Sequence, residues 1–300
     1  MAKNFRLRKK VGSLKFRFNG ALDSVNERLY ERRTKEMITM FEYPYSIELL
    51  TPKRSNEGAA EEMLSMFREK YQRVFDSGCG ASFPDNPMGQ PRFSLIEMID
   101  QCGLSIHPEE MVMNLNTFHT KEELDGLLKA AVNLGLKYLL VVRGDGGPAL
   151  SKLSPESIGA EMNVATSIDL IRYINREYGG VFTTGAAFNQ YNRSSFELDR
   201  LRQKIDAGTK FVITQPVIGR DPNVDRIMDF DISVVIEAWM SENVGLLYKS
   251  VGKELGEKAE RYDPTQNLKT LHEVYPECCV YLSMLSFKQD FRKILPRLQK

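Results

Sequence analysis

The sequence predicts an α/β protein, a (β/α)8 barrel with an N-terminal basic arm and helix, on three observations. Apolar runs of strand length recur along the chain, rich in branched aliphatics and bounded by glycine or proline, as buried parallel strands are. Between them lie amphipathic helical stretches with short connections, the pattern of parallel strand–helix units, and eight such units favour closure. The length agrees, because such a barrel needs roughly 250 residues and the chain has 300.

Residues 3–17 carry Lys3, Arg6, Arg8, Lys9, Lys10, Lys15 and Arg17 with no acid among them. This reads as an arm that is solvated or packed on its own barrel, with a polyanion-binding arm as the alternative. Residues 21–40 place Leu22, Val25, Leu29, Arg33 and Met37 on one face, with Asp23 or Ser24 as a cap, and predict a helix across the barrel bottom. The expected organisation is therefore an arm and helix over 1–40 and a barrel domain over 41–300.

The first strand is expected over 45–50 and its helix over 57–71, with Ala60, Leu64 and Phe67 inward. Arg73-Val74-Phe75-Asp76 is read as the second strand, running into the glycine-rich tip Ser77-Gly78-Cys79-Gly80-Ala81. The proline-rich stretch 83–87 is then a loop over the barrel mouth, followed by a helix over 92–102. Met111–Asn116 is the third strand. Thr120 and Glu123 form a capping box for the next helix, which ends near Gly135.

Lys137–Val142 is the fourth strand, closed by Arg143-Gly144-Asp145-Gly146-Gly147, and a helix over 159–178 follows. In the fifth strand, 181–188, small residues around Gly185 suggest a ligand or backbone lying close. A helix over 194–207 is stopped by Gly208. Residues 211–215 form the sixth strand, 231–236 the seventh and 279–285 the eighth, with helices over 243–258 and 287–298.

Three of these strands carry a polar group where burial is costly without a partner: Glu48, Asp145 and Gln215. In a barrel the chemistry gathers at the C-terminal ends of the strands, so these three are expected to share one site. A carboxyl inside an apolar strand should have a raised pKa, which suits a proton donor near neutrality.

Charge is balanced, with 41 basic and 40 acidic residues, so no global field argues for nucleic acid or a membrane surface. No window approaches the eighteen or so apolar residues of a membrane helix, and the first residues lack a signal peptide's apolar core. A cytoplasmic protein is expected. Cys79, Cys102, Cys278 and Cys279 lack metal-ligand spacing and read as free thiols, and His107, His119 and His272 are scattered, so no metal is expected. No GxGxxG follows an early strand, so a Rossmann site is not expected.

The sequence resembles the methylenetetrahydrofolate reductase family, in its single-domain bacterial form. The resemblance is carried in order by Ser46–Lys53, Asn114-Leu115-Asn116, Leu140–Asp145 and Lys204–Gln215, over about residues 43 to 217. It implies reduction of a folate-bound methylene group to methyl, with NADH or NADPH as hydride donor and ordinarily a flavin, FAD, as relay. Glu48 then matches the family's catalytic acid, Asp145 the pterin-contacting aspartate that tunes the electrophile, and Gln215 the folate-binding glutamine.

Other positions depart from the family. Gly78 and Cys79 stand for a threonine and tyrosine at the end of the second strand, and Asn114 for a histidine. Phe188-Asn189-Gln190 and Asn192 replace a tyrosine-proline-glutamate and a following histidine, and Arg200 replaces an asparagine, while Lys204 is kept. Most flavin ligands are thus replaced, so the reading is a reductase without FAD, its nicotinamide near Gly78, Asn114, Gly185 and Gln190 and its phosphates at Lys204. The competing reading is a folate-binding barrel subunit without catalysis; Glu48 argues against it, because a simple binder needs no buried acid. Self-association as a homo-oligomer is left open.

Overall fold

The structure is a computed structural model and describes residues 41–54, 60–252, 254 and 262–298. The arm and helix expected over 1–40 lie outside the described residues.

Eight parallel strands close in chain order: β1 Tyr45–Glu48, β2 Gly80–Phe83, β3 Met111–Leu115, β4 Tyr138–Val141, β5 Thr183–Phe188, β6 Phe211–Pro216, β7 Ser233–Trp239 and β8 Cys279–Ser283. Outside them run α1 Ala60–Asp76, α2 Leu95–Cys102, α3 Lys121–Asn133, α4 Ser167–Glu177, α5 Ser194–Asp206, α6 Pro222–Ile227, α7 Val244–Ser250, α8 Pro264–Val274 and α9 Phe291–Ile294. The expected (β/α)8 barrel is the observed fold. Among the described residues, no helix is long and apolar enough to cross a membrane.

Local chemistry starts the helices. Ser94 with Glu97, Thr120 with Glu123 and Thr166 with Asp169 form reciprocal capping boxes at α2, α3 and α4. Each satisfies amide donors that the first helical turn leaves without partners. The apolar faces pack on the outside of the sheet in one large core that includes Ile47, Leu49, Met98, Leu124, Leu139, Ile171 and Leu201.

The sheet's other face fills the barrel. Its lower half is packed by Val112, Tyr138, Leu140, Phe211, Ile213 and Val235, with Phe41 entering from below. Phe41 meets the Phe211 ring edge-on at 5.3 Å and the Tyr138 ring at 5.0 Å. Gly80 and Gly185 face this aromatic plug: a Cβ on Gly80 would strike the Tyr43 ring, and one on Gly185 the Phe211 ring. The plug fills the N-terminal half of the barrel, and a cavity opens above it at the C-terminal ends of the strands.

Several elements differ from expectation. Arg73–Asp76 is the last turn of α1, not a strand, and β2 starts at Gly80. Tyr71, Val74 and Phe75 are spaced i, i+3 and i+4, the period of a helix's buried side, and continue the face of Leu64 and Phe67. The helix expected over 159–178 begins only at Ser167, and the segment over 287–298 is one short helix and a 3-10 turn. α6 and α8 were not expected; each is announced by an Asp-Pro pair, Asp221-Pro222 and Asp263-Pro264, with the aspartate capping and the proline in the first turn.

All four cysteines are free thiols; Cys278, just before β8, packs in the outer core, and Cys279, the first residue of β8, packs against the inner one. Burial pushes the Cys79 and Cys278 thiols up to about 12. They are not poised nucleophiles. Among the described residues, no three His, Cys, Asp or Glu side chains gather where they could hold a metal ion.

Candidate functional site

Strand alternation turns Glu48, Ser82, Asn114, Gln215, Glu237 and Tyr281 toward the barrel axis near the mouth. Apart from Ser82, all of these line one open cavity of about 840 Å³, whose wall also includes Asp85, Arg143, Asp145, Glu197, Arg200 and Lys204. Glu48, Asp145 and Gln215, expected to share a site, therefore do line one cavity.

Glu48 ends β1. It accepts a hydrogen bond from the Tyr281 hydroxyl at 3.0 Å and one from the Met284 backbone N–H at 3.3 Å. Burial raises its pKa, against these two donors and the Arg92 guanidinium, which favour the anion. Arg92 itself donates to the Thr51 carbonyl.

Asp145 lies on the β4–α4 connection, where its carboxylate accepts the Met88 N–H at 2.7 Å. That bond ties the β2–α2 loop across the mouth. The tie is close: a Cβ on Gly89 would run into the Gly146 carbonyl, and one on Gly147 into the Gly89 carbonyl. Gly89 also has φ of 67°, a left-handed conformation that glycine adopts freely. Asp85, in the same loop, accepts from His119 Nε2 at 2.7 Å and from the Asn116 N–H at 2.9 Å, fixing the loop to the end of β3.

Gln215 is set by a residue behind it. The Gln190 side-chain amide donates to the Gln215 carbonyl at 2.8 Å and accepts the Gln215 N–H at 3.1 Å, gripping that backbone from both sides. The β6–β7 register shifts between Ile213 and Pro216, so ladder bonds do not hold this segment and a side chain does. Gln190 is itself buried and does not line the cavity.

Lys204 is buried on α5, its ammonium donating to the Ala187 carbonyl at 2.6 Å and standing 3.7 Å from Glu197. Glu197 in turn accepts from the Asn189 N–H and the Asn192 amide. Burial lowers the Lys204 pKa, with Glu197 opposing and Arg200 adding to the effect. Asn114 faces the cavity and accepts from the Ser82 hydroxyl at 3.1 Å.

Three expected cofactor contacts do not line the cavity. Gly78 sits in the turn between α1 and β2, at the N-terminal end of the barrel, because the second strand starts later than its sequence suggests. Gly185 faces the aromatic plug; its missing side chain makes room for Phe211 rather than for a ligand. Gln190 is the clamp on Gln215. The residues that end β2 are Ser82 and Phe83, so a hydroxyl does stand at the mouth end of that strand.

Two residues of the site were missed. Glu237 on β7 and Tyr281 on β8 are paired in the sheet register. The signal for Glu237 was the one that revealed Glu48, an acid within an apolar run, but the seventh strand was expected to stop at Ile236 and it continues to Trp239. Burial raises the Glu237 pKa to about 8, with the Ser283 hydroxyl opposing and the Glu48 charge adding to the rise.

The sequence model described as methylenetetrahydrofolate reductase matches residues 42–230. The chain belongs to this family. Over 123 residues it is 31% identical to a Caenorhabditis elegans protein named "Probable methylenetetrahydrofolate reductase (NADPH)". That stretch is 39% of this chain and 17% of the worm protein, so the chain matches less than a fifth of that relative's length. Among solved structures, it is similar to 2,3-dimethylmalate lyase (TM-score 0.47, 10% identity, covering 85% of this chain and 79% of that one). It is also similar to the 7,8-dihydropteroate synthase of Vibrio fischeri (TM-score 0.45, 13% identity, 86% and 91%). The family assignment rests on the sequence match alone.

The family ordinarily uses a flavin, and the cavity has features that suit a dinucleotide. Arg143, Arg200 and Lys204, the last offset by Glu197 at 3.7 Å, line the cavity together with Thr166 and Ser167 at the start of α4. Cations and helix amides complement a pyrophosphate. This chemistry fits a flavin dinucleotide and a nicotinamide dinucleotide equally.

Proposed function

We propose that this barrel reduces 5,10-methylenetetrahydrofolate to 5-methyltetrahydrofolate, taking hydride directly from NADH or NADPH. The observation that carries the reading is Glu48, a carboxyl with a raised pKa facing the cavity that Asp145 and Gln215 also line.

In this reading Glu48 gives its proton to N10 of the folate, the bond between N10 and the methylene carbon breaks, and the N5 lone pair forms the iminium. Hydride from the dihydronicotinamide adds to that carbon, returning the electron pair to N5, and the nicotinamide leaves oxidised. One proton is consumed per turnover. Asp145 holds the amino-pyrimidine edge of the pterin, which presents donors, exchanging its Met88 N–H for the substrate. Gln215 binds the ring, and Lys204 with Arg200 takes the phosphates. A flavin, where bound, would be held by the same cations and would supply a hydride relay. Direct transfer is favoured by Asn114 and Arg200 in place of the family's histidine and asparagine. Gly78 and Gln190 no longer support it, since neither lines the cavity. Both substrates must then be bound together, so kinetics should be sequential.

The test is oxidation of NADH and NADPH by the purified protein without added flavin, with and without methylenetetrahydrofolate, after its visible spectrum is recorded. Folate-dependent oxidation that Glu48→Gln abolishes, with folate binding retained, is the expected result. No oxidation with either nucleotide, even after flavin is supplied, would overturn the reading in favour of a folate-binding subunit without catalysis. Activity that appears only with flavin would overturn direct transfer alone.

A further inference from the structure

Both oxygens of Glu48 are held from the end of one strand. Tyr281 on β8 donates its hydroxyl to Oε1 at 3.0 Å, and the Met284 N–H, just past the end of that strand, reaches Oε2 at 3.3 Å. The Tyr281 ring is buried in the inner core with Ile213 and Val235, and among the described residues Glu48 is the hydrogen-bond partner of its hydroxyl. Met284 has φ of 58°, a left-handed conformation that residues with a side chain rarely adopt. Met88 shares it, and it too turns its N–H to a site carboxylate, that of Asp145.

We propose that Tyr281 is the positioning residue of the acid step: with the Met284 N–H it clamps the Glu48 carboxyl, fixing Oε1 as the accepting oxygen and leaving Oε2 to carry the proton that goes to N10. The proposal rests on the reductase reading of the site. In a protonated carboxyl the carbonyl oxygen is the better acceptor, so the shorter bond marks Oε1 as that oxygen and the longer one leaves the proton to Oε2. When N10 takes the proton, the O–H electron pair stays on the carboxylate, and both donors then bond an anion. Charge-assisted bonds are roughly twice as strong as neutral ones. The clamp therefore tightens as the proton leaves, a stabilisation that the transition state feels more than the resting acid. Water entering the open cavity restores the proton.

The charges around Glu48 agree with this division of labour. Burial raises its pKa, and the Met284 N–H, the Tyr281 hydroxyl and the Arg92 guanidinium from the β2–α2 loop oppose the rise. Burial, and after it the Glu48 and Glu237 charges, hold the Tyr281 hydroxyl far above its ordinary range, so it donates without ionising. The Glu237 carboxyl on β7 also couples to Glu48; burial puts its pKa at about 8. Of these groups, Tyr281 is the side chain with a printed bond length to the acid, and it reaches the carboxyl from the neighbouring strand of the closed sheet.

Two measurements on the full chain test this with Tyr281→Phe, which keeps the ring in the core and removes the hydroxyl. In steady-state reduction, kcat should fall about tenfold, the lower scale of a lost hydrogen bond to a charged group, with KM for methylenetetrahydrofolate little changed. The basic limb of kcat/KM, where Glu48 loses its proton, should move to higher pH, because the variant lacks a donor that favours the anion. Infrared titration without substrate reads the same carboxyl directly: the band that Glu48→Gln removes should titrate at higher pH in Tyr281→Phe than in wild type. A role in packing alone would lower the unfolding midpoint and leave limb and band in place; with folate still reduced, that result overturns the clamp and not the reductase. A wild type that reduces no folate, even where the band shifts as expected, overturns the reductase reading and the role of Tyr281 in the acid step with it.

Discussion

Gly185 separates two explanations of a small residue in a barrel strand, a ligand lying close or a ring that needs the space. A Cβ built there lies within the van der Waals envelope of the Phe211 ring, with the third-nearest ring carbon, Cε1, still only 2.6 Å away, whereas ordinary contact begins at 3.4 Å. The ring must retreat by roughly 1 Å, a displacement on the steep repulsive side of the contact potential. It has nowhere to go, because Phe41 and Tyr138 pack edge-on or tilted against it and each other. Gly185→Ala should therefore cost about 3 kcal/mol, the upper range for an overpacked core. Adding Phe211→Leu should recover part of that loss in a double-mutant cycle. The assay is urea unfolding followed by tryptophan fluorescence and circular dichroism, read as a lower midpoint at unchanged slope. Gly185→Ala within about 0.5 kcal/mol of wild type, or a loss unaffected by Phe211→Leu, would refute the plug and return Gly185 to the candidates for ligand contact.

Glu237 makes stability depend on pH. Its folded pKa, near 8, lies above the ordinary 4.5, so the unfolded chain releases this proton first and stability falls as pH rises between those values. Relative to Glu237→Gln, wild type should lose up to about 1.4 kcal/mol per pH unit across that window, and equal pH profiles for the two proteins would count against a buried neutral acid. Gln190→Ala removes both hydrogen bonds on the Gln215 backbone and should weaken folate binding about tenfold, on the scale of about 1.4 kcal/mol, with little change in the rate of hydride transfer; calorimetric titration with folate checks it. Glu197→Ala leaves the Lys204 ammonium buried beside a single carbonyl and should cost about 3 kcal/mol in chemical unfolding. Asp145→Asn should mainly weaken folate affinity and slow reduction, seen as a raised KM with a smaller fall in kcat.

What the sequence determined is the alternation. Apolar runs bounded by glycine and proline, with capping boxes such as Thr120–Glu123 between them, fix element type locally, and eight strand–helix units leave little but closure. The same local logic marked Glu48, because a carboxyl inside an apolar strand is conspicuous wherever the strand lies. It placed Asp145 and Gln215 at strand ends and so on one rim. Only the tertiary structure decided the ends and the far side of each element. The segment Arg73–Asp76 is apolar enough for either a helix end or a strand, and its packing neighbours chose helix; that choice moved Gly78 to the opposite end of the barrel. Gln190 reads as a ligand from its position and is a clamp because β6 loses its register with β7. Gly185 reads as space for a ligand and is space for Phe211, a residue twenty-six positions away. Glu237 and Tyr281 became part of the site because β7 runs three residues past its expected end and ring closure brings β8 against β1. Burial depth, pKa and which side chains meet across the axis depend on contacts between strands distant in sequence, and local patterns carry no record of those contacts.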